Sequence, residues 1–224
     1  DPLPADARSL LISGGCDRRG RVPVTEHLDA IARLRPGRRL NWHVGLIAAA
    51  ELDAIAPHVD VVSFDVVGDA ETAREVYGLD LTLDDYMAAF DLLRARVPVV
   101  PHITIGLRGG RLSGERAALA ALAEREVESL VFIILIPTPG TTYAHCNPPP
   151  LNDVADVLLE ARLRLPAARL LLGCMRPVGV YRQLADELAV RAGVNGVVNP
   201  ALAAVRAAGE LGLAVEWGDE CCAF

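Results

Sequence analysis

The stretch Leu130–Tyr143, LVFIILIPTPGTTY, decides how the rest of the chain is read. Seven apolar residues in a row, Leu130 to Ile136, stop at Pro137, and a turn containing Pro139, Gly140 and two threonines follows at once. A run that apolar, rich in isoleucine and bounded by turn residues, reads as a strand buried on both faces. Its turn lies just past the carboxyl end of the strand, where parallel α/β folds place their ligands.

Outward from this stretch the same unit recurs in both directions. Before it come strands at Ser9–Ile12, Leu40–Leu46, Val59–Val67 and Val99–Leu107, separated by helical patterns at 24–35, 47–56, 70–77, 82–97 and 114–126. Thr82 is placed to cap its helix. After the stretch, Asn152 is placed to cap a helix over 153–165. Strands at Leu170–Cys174 and Val194–Val198 follow, with helices at 180–192 and 200–212 and a last strand at Leu213–Trp217. Alternation at this rhythm predicts successive βαβ units and a parallel sheet. The expected fold is α/β, a (β/α)8 TIM-type barrel incomplete at its N-terminal strand, as one domain over 1–224. An open doubly wound sheet is the alternative, but the first βα turn lacks a G-x-G-x-x-G fingerprint.

Composition narrows the chemistry. The chain has 224 residues, 52% of them hydrophobic, and no apolar run approaches the roughly 18 residues of a membrane span. Net charge is −7 with no dense basic cluster, which argues against nucleic acid as a partner. All 22 basic residues are arginine, so no Schiff-base, P-loop or general-base lysine comes from this chain. Five cysteines, an odd number without an export signal, suit a reducing cytoplasm.

The predicted strand ends bring a specific set of side chains to one mouth. Ser13, Gly14 and Gly15 offer backbone groups to a carboxylate or phosphate, or form an ordinary tight turn. His43 and His102 read as acid/base groups or metal ligands, or as hydrogen-bonded core residues. Asp65, flanked by valines and near Ser63, needs a partner, either an ion pair or a hydroxyl-rich ligand such as a ribose. Arg176, at the end of an apolar strand, needs an anionic partner. Cys174 and the vicinal pair Cys221-Cys222 read as soft metal ligands or as sites of sulfur chemistry. A metal-dependent lyase using His43, His102 and Asp65 is a further reading of the same residues.

Taken in order, these motifs resemble the biotin synthase-like branch of the radical S-adenosylmethionine (SAM) enzymes. Ser13-Gly14-Gly15 resembles the glycine motif that meets the methionine end of SAM, with Cys16 where many relatives carry Glu. Pro137-Thr138-Pro139-Gly140-Thr141 resembles the P-x-P-G-T turn, and Ile105-Gly106-Leu107 the I-G-L of the fifth strand. Gly173-Cys174-Met175-Arg176-Pro177 and Glu220-Cys221-Cys222 resemble a group similar to one half of a two-protein lipoyl synthase. The resemblance implies SAM and a 4Fe–4S cluster as cofactors. Ser13, Gly14, Gly15, Ser63, Asp65, His102, Gly106, Pro137, Pro139, Gly140, Thr141 and Arg176 would lie around SAM, and Cys174, Cys221 and Cys222 would hold an auxiliary iron–sulfur cluster. It also implies hydrogen abstraction by a 5′-deoxyadenosyl radical, with sulfur insertion into a small-molecule or carrier-protein-bound substrate, a companion radical SAM protein and an electron donor. A non-catalytic SAM-barrel partner is the alternative within this resemblance. The C-x3-C-x2-C cluster loop of these enzymes is not found here: no three of the five cysteines have that spacing. A chain that begins at Asp1 while keeping its mouth residues is expected to lack its N-terminal strand and cluster loop.

Overall fold

A computed structural model describes residues 6–224. Seven strands form one sheet: β1 Ser9–Ile12, β2 Arg39–Trp42, β3 Val61–Asp65, β4 Val99–Ile105, β5 Ser129–Ile134, β6 Arg169–Leu172 and β7 Gly196–Val197. The α-helices are α1 Leu28–Leu34, α2 Ala49–Ile55, α3 Ala70–Tyr77, α4 Leu83–Arg94, α5 Glu115–Ala123, α6 Leu151–Arg164, α7 Val180–Arg191 and α8 Leu202–Glu210. Every strand pairs in parallel with the next one in sequence. This is a half-barrel, and the carboxyl ends of all its strands lie at one rim.

Period-two alternation divides the strands into two faces. Leu40 and Trp42, Val62 and Phe64, Ile103 and Ile105, Leu130, Phe132 and Ile134, and Leu170 and Leu172 are almost fully buried and belong to the core shared with the helices. Full burial of each such side chain stabilises by about 1.5–3 kcal/mol, so this layer sets the register. The alternate positions, Asn41, Ser63, Asp65, His102 and Thr104, occupy the inner face of the sheet. The polar residues inside strands that look costly in the sequence are therefore where the chain lines its lumen.

Among the described residues the sheet has seven strands and β7 and β1 do not pair, consistent with an incomplete barrel. Two expectations are corrected. Leu213–Trp217 is not a strand: Leu213, Val215 and Trp217 are 51%, 46% and 71% exposed, outside any ladder. The chain beyond them is drawn onto the sheet's inner face by side-chain contacts, so this segment passes by without pairing. Asn152 does not cap α6; Pro150 occupies that position without a side-chain hydrogen bond. Thr82 does cap α4, in a reciprocal box with Asp85.

Candidate functional site

The first cluster lies where β2, β3 and β4 end. Asp65 closes β3 and is aligned with His102 of β4. Its Oδ2 is 3.9 Å from His43 Nδ1, and the His43 and His102 rings meet edge-on with centroids 5.8 Å apart. Asp65 also reaches the glycine turn electrically: the Cys16 thiol is pushed up by burial and then by the charges of Asp65 and Asp17. Below this level Ser63 donates to Asn41 Oδ1 at 2.9 Å, both side chains buried.

The glycines of the predicted mouth differ in what the fold demands of them. Gly14 and Gly15 are exposed, and neither has a positive φ. A Cβ on Gly15 would meet nothing within 4 Å, so neither backbone nor packing requires glycine there. Gly106 is the opposite case. Its φ is 74°, a Cβ would sit 2.7 Å from Pro149, and its N–H donates to the buried Glu115 carboxylate at 2.8 Å. The fold accounts for Gly106 without a ligand. Gly140, with φ 84°, is needed by the turn in which Thr141 N–H and Oγ1 both bond to Thr138 O. That turn is exposed from Thr138 to Thr141, with Pro137 half-buried, at the carboxyl end of β5. Its loop is tied back to α3 by Tyr143, whose hydroxyl donates to Glu75 at 2.5 Å, while Arg108 bridges Glu71 and Glu75.

The second cluster is built by the C-terminal tail. Asp219 pairs with Arg8, Glu220 with Arg39, and the Phe224 carbonyl oxygen accepts from Arg169. The Arg39 guanidinium lies 4.1 Å over the Phe224 ring. Between these anchors Cys221 Sγ accepts from Asn41 Nδ2 at 3.6 Å, and Cys222 Sγ lies 3.7 Å from His102 Nε2. Cys221 is lowered to about 6, chiefly by a hydrogen bond from Cys222 and then by the Ala223 N–H and Asn41. Cys222 is raised, by that same bond, by burial and by the charges of Cys221 and Cys174. His102 is 4% exposed and lowered to about 4, with burial the main cause. Its Nδ1 is 3.0 Å from the Val100 carbonyl oxygen. A carbonyl only accepts, so Nδ1 carries the proton and the Nε2 lone pair faces Cys222.

Two expected groups are not where the sequence placed them. Arg176 is 1% exposed and does not face the mouth. It forms a two-pronged pair with Asp186 of α7 and donates to the carbonyls of Gly173, Val198 and Asn199. Its anionic partner is a residue of the chain itself. Cys174 is exposed, and no three His, Cys, Asp or Glu side chains among the described residues are grouped to hold a metal ion. The auxiliary-cluster ligand set is therefore not assembled. The lyase constellation fares no better, because His102 is occupied at both nitrogens.

Asn41 and Asp186 are the residues to which the sequence alone assigns no role. Asn41 had a readable signal, an amide inside the apolar strand LNWHV; Asp186 looks like any acid on a surface helix. At the opposite rim a recess of about 730 Å³ is lined by Arg8, Arg35, Arg38, Arg39 and Glu220. Each of these guanidiniums already has a carboxylate or carbonyl partner, so we assign the recess no ligand.

Two known proteins resemble the chain, one in sequence and one in fold. A biotin synthase of Bordetella avium is 26% identical over 184 residues, 79% of this chain and 56% of that protein. In sequence the chain is similar to this biotin synthase. It spans just over half the length of that curated relative. The crystal structure of methylornithine synthase (PylB) matches 93% of this chain and 68% of its own, with TM-score 0.59 and 16% identity, a likeness of fold. No family model matches the chain.

Proposed function

We propose that residues 1–224 form one domain, the SAM-binding half-barrel of a radical SAM enzyme. The observation that carries this reading is Gly15, an open glycine that neither backbone nor packing requires, one residue from Cys16, which feels the charge of Asp65. Glycine there leaves room for a ligand to approach the backbone closely.

The roles follow from the chemistry of SAM. Carbonyls and N–H groups of Ser13-Gly14-Gly15 face its amino-acid end. Asp65, its side chain 45% exposed, accepts from ribose hydroxyls. The Pro137–Thr141 turn covers the adenine side. Arg176 is outside this set.

A 4Fe–4S cluster supplies the electron that cleaves SAM to a 5′-deoxyadenosyl radical in such enzymes. No three cysteines of this chain have the loop spacing, so we assign no cluster ligand and no electron-transfer step to these residues. For the assembled enzyme we propose hydrogen abstraction from a small-molecule or carrier-bound substrate, with sulfur insertion as its outcome. A companion radical SAM protein or further chain would supply the cluster, and an electron donor would serve it, in a reducing cytoplasm.

The test is equilibrium binding of SAM to the chain, followed by calorimetry. Asp65→Ala and Gly15→Val should each weaken binding at least ~10-fold while leaving the fold intact. Absence of SAM binding by the folded chain, or binding indifferent to both substitutions, overturns the proposal.

A further inference from the structure

The tail places two adjacent thiols against an amide donor and an imidazole lone pair, on the inner face of a half-barrel whose edge-strand residue Leu11 is 58% exposed. No three His, Cys, Asp or Glu side chains among the described residues are grouped to hold a metal ion. The two sulfurs are instead treated differently. Cys221 Sγ accepts a hydrogen bond from Asn41 Nδ2, which favours a thiolate. Cys222 Sγ lies 3.7 Å from His102 Nε2, whose other nitrogen is fixed as the donor by Val100, so the imidazole turns a lone pair toward this thiol.

We propose that Cys221 and Cys222 are a redox-active dithiol that reduces small disulfides, with Cys221 the attacking sulfur, Cys222 the resolving sulfur and His102 the residue that positions Cys222. The Cys221 thiolate attacks one sulfur of a disulfide RSSR; the S–S bond breaks, a mixed disulfide forms on Cys221 and RS⁻ leaves. The Cys222 thiol, held beside His102 Nε2, then gives its proton to the departed RS⁻ and attacks Cys221 Sγ. The mixed disulfide breaks, and the second RS⁻ leaves and takes a proton from water. Two thiols of the chain are oxidised and one disulfide is reduced to two thiols, so electrons and protons balance.

Adjacent residues hold their Cα atoms about 3.8 Å apart across a trans peptide. That is shorter than the roughly 4.4–6.8 Å of relaxed disulfides, so the oxidised pair is strained and readily reduced again. Such a bond suits turnover, not structural stapling. The proposal is independent of SAM cleavage, since no step uses SAM or a cluster.

The experiment uses the 224-residue chain with Cys16, Cys146 and Cys174 changed to Ser, treated with 2-hydroxyethyl disulfide and read by intact and peptide mass spectrometry after acid quench. The expected product is loss of two hydrogens located on the Cys221-Cys222 peptide, reversed by dithiothreitol. Cys222→Ser in that background should trap the mixed disulfide on Cys221, whereas Cys221→Ser should react at least ~10-fold more slowly. His102→Gln should slow resolution, so that the mixed disulfide accumulates before the hydrogens are lost. In the unsubstituted chain Cys221 should be modified at least ~10-fold faster than Cys16. Trapping on Cys222 in place of Cys221, or reaction of the pair no faster than exposed Cys16, overturns the proposal. Circular dichroism of each variant confirms that the fold persists.

Discussion

Arg176 and Asp186 form a buried ion pair, Nε to Oδ1 at 2.5 Å and Nη2 to Oδ2 at 2.9 Å, with neither side chain exposed to solvent. Asp186 Oδ2 also accepts from the N–H of Ala201 at 2.8 Å. One pair thus fastens the end of β6, helix α7, and the loop between β7 and α8.

Removing one partner leaves an uncompensated charge in the interior. Asp186→Asn is expected to destabilise the chain by about 3–5 kcal/mol, read as a shifted midpoint in urea denaturation. The Arg176→Met, Asp186→Leu double variant should recover a large part of that loss. Full additivity of the two single changes would show that the pair is not coupled.

The glycines make a contrasting set. Gly45→Ala should destabilise the chain by more than about 1 kcal/mol, since φ is 59° and the new Cβ would lie 2.1 Å from the Gly20 carbonyl oxygen. Gly15→Ala should leave the thermal midpoint unchanged, because nothing lies within 4 Å of the added atom. Calorimetric scans of both variants make the comparison.

His102 gives a pH signature whose sign is fixed by burial. Its folded value is lowered to about 4 from 6.5, so the unfolded chain binds the proton more readily. The stability associated with neutral His102 is complete above about pH 6.5 and is lost as pH falls through about 4. Denaturation of wild type and His102→Gln from pH 7 to 4 should show a shallower acid decline in the variant. Parallel curves would refute the assignment.

Thr82→Ala removes a side chain that caps α4 in a box with Asp85. The expected cost is about 1 kcal/mol, measured in urea, with no change in SAM binding.

How much of this was legible follows from particular residues. The parallel alternation could be read because strands such as LVFIILI and helices such as that capped by Thr82 carry their own periodicity and punctuation. The inner polar face was half legible: Ser63, Asp65 and His102 interrupt apolar strands at alternate positions, which points them away from the helices. Arg176 was misplaced because sequence shows that a buried guanidinium needs an anion without showing that Asp186, ten residues on, is that anion. Gly15 and Gly106 look equivalent as letters, and only a surrounding structure reveals that one is crowded and the other open. The tail was read as a strand because Leu213, Val215 and Trp217 alternate correctly; nothing local announces that Glu220 and Phe224 find Arg39 instead.

That docking has a practical edge for anyone handling the protein. The Phe224 carbonyl oxygen bonds to Arg169 and its ring lies under Arg39, so a purification handle fused after Phe224 would have to emerge between two strand-start arginines. It would tug on the neighbouring thiols with every thermal excursion, and a fusion built that way would report on its own tag as much as on the pair.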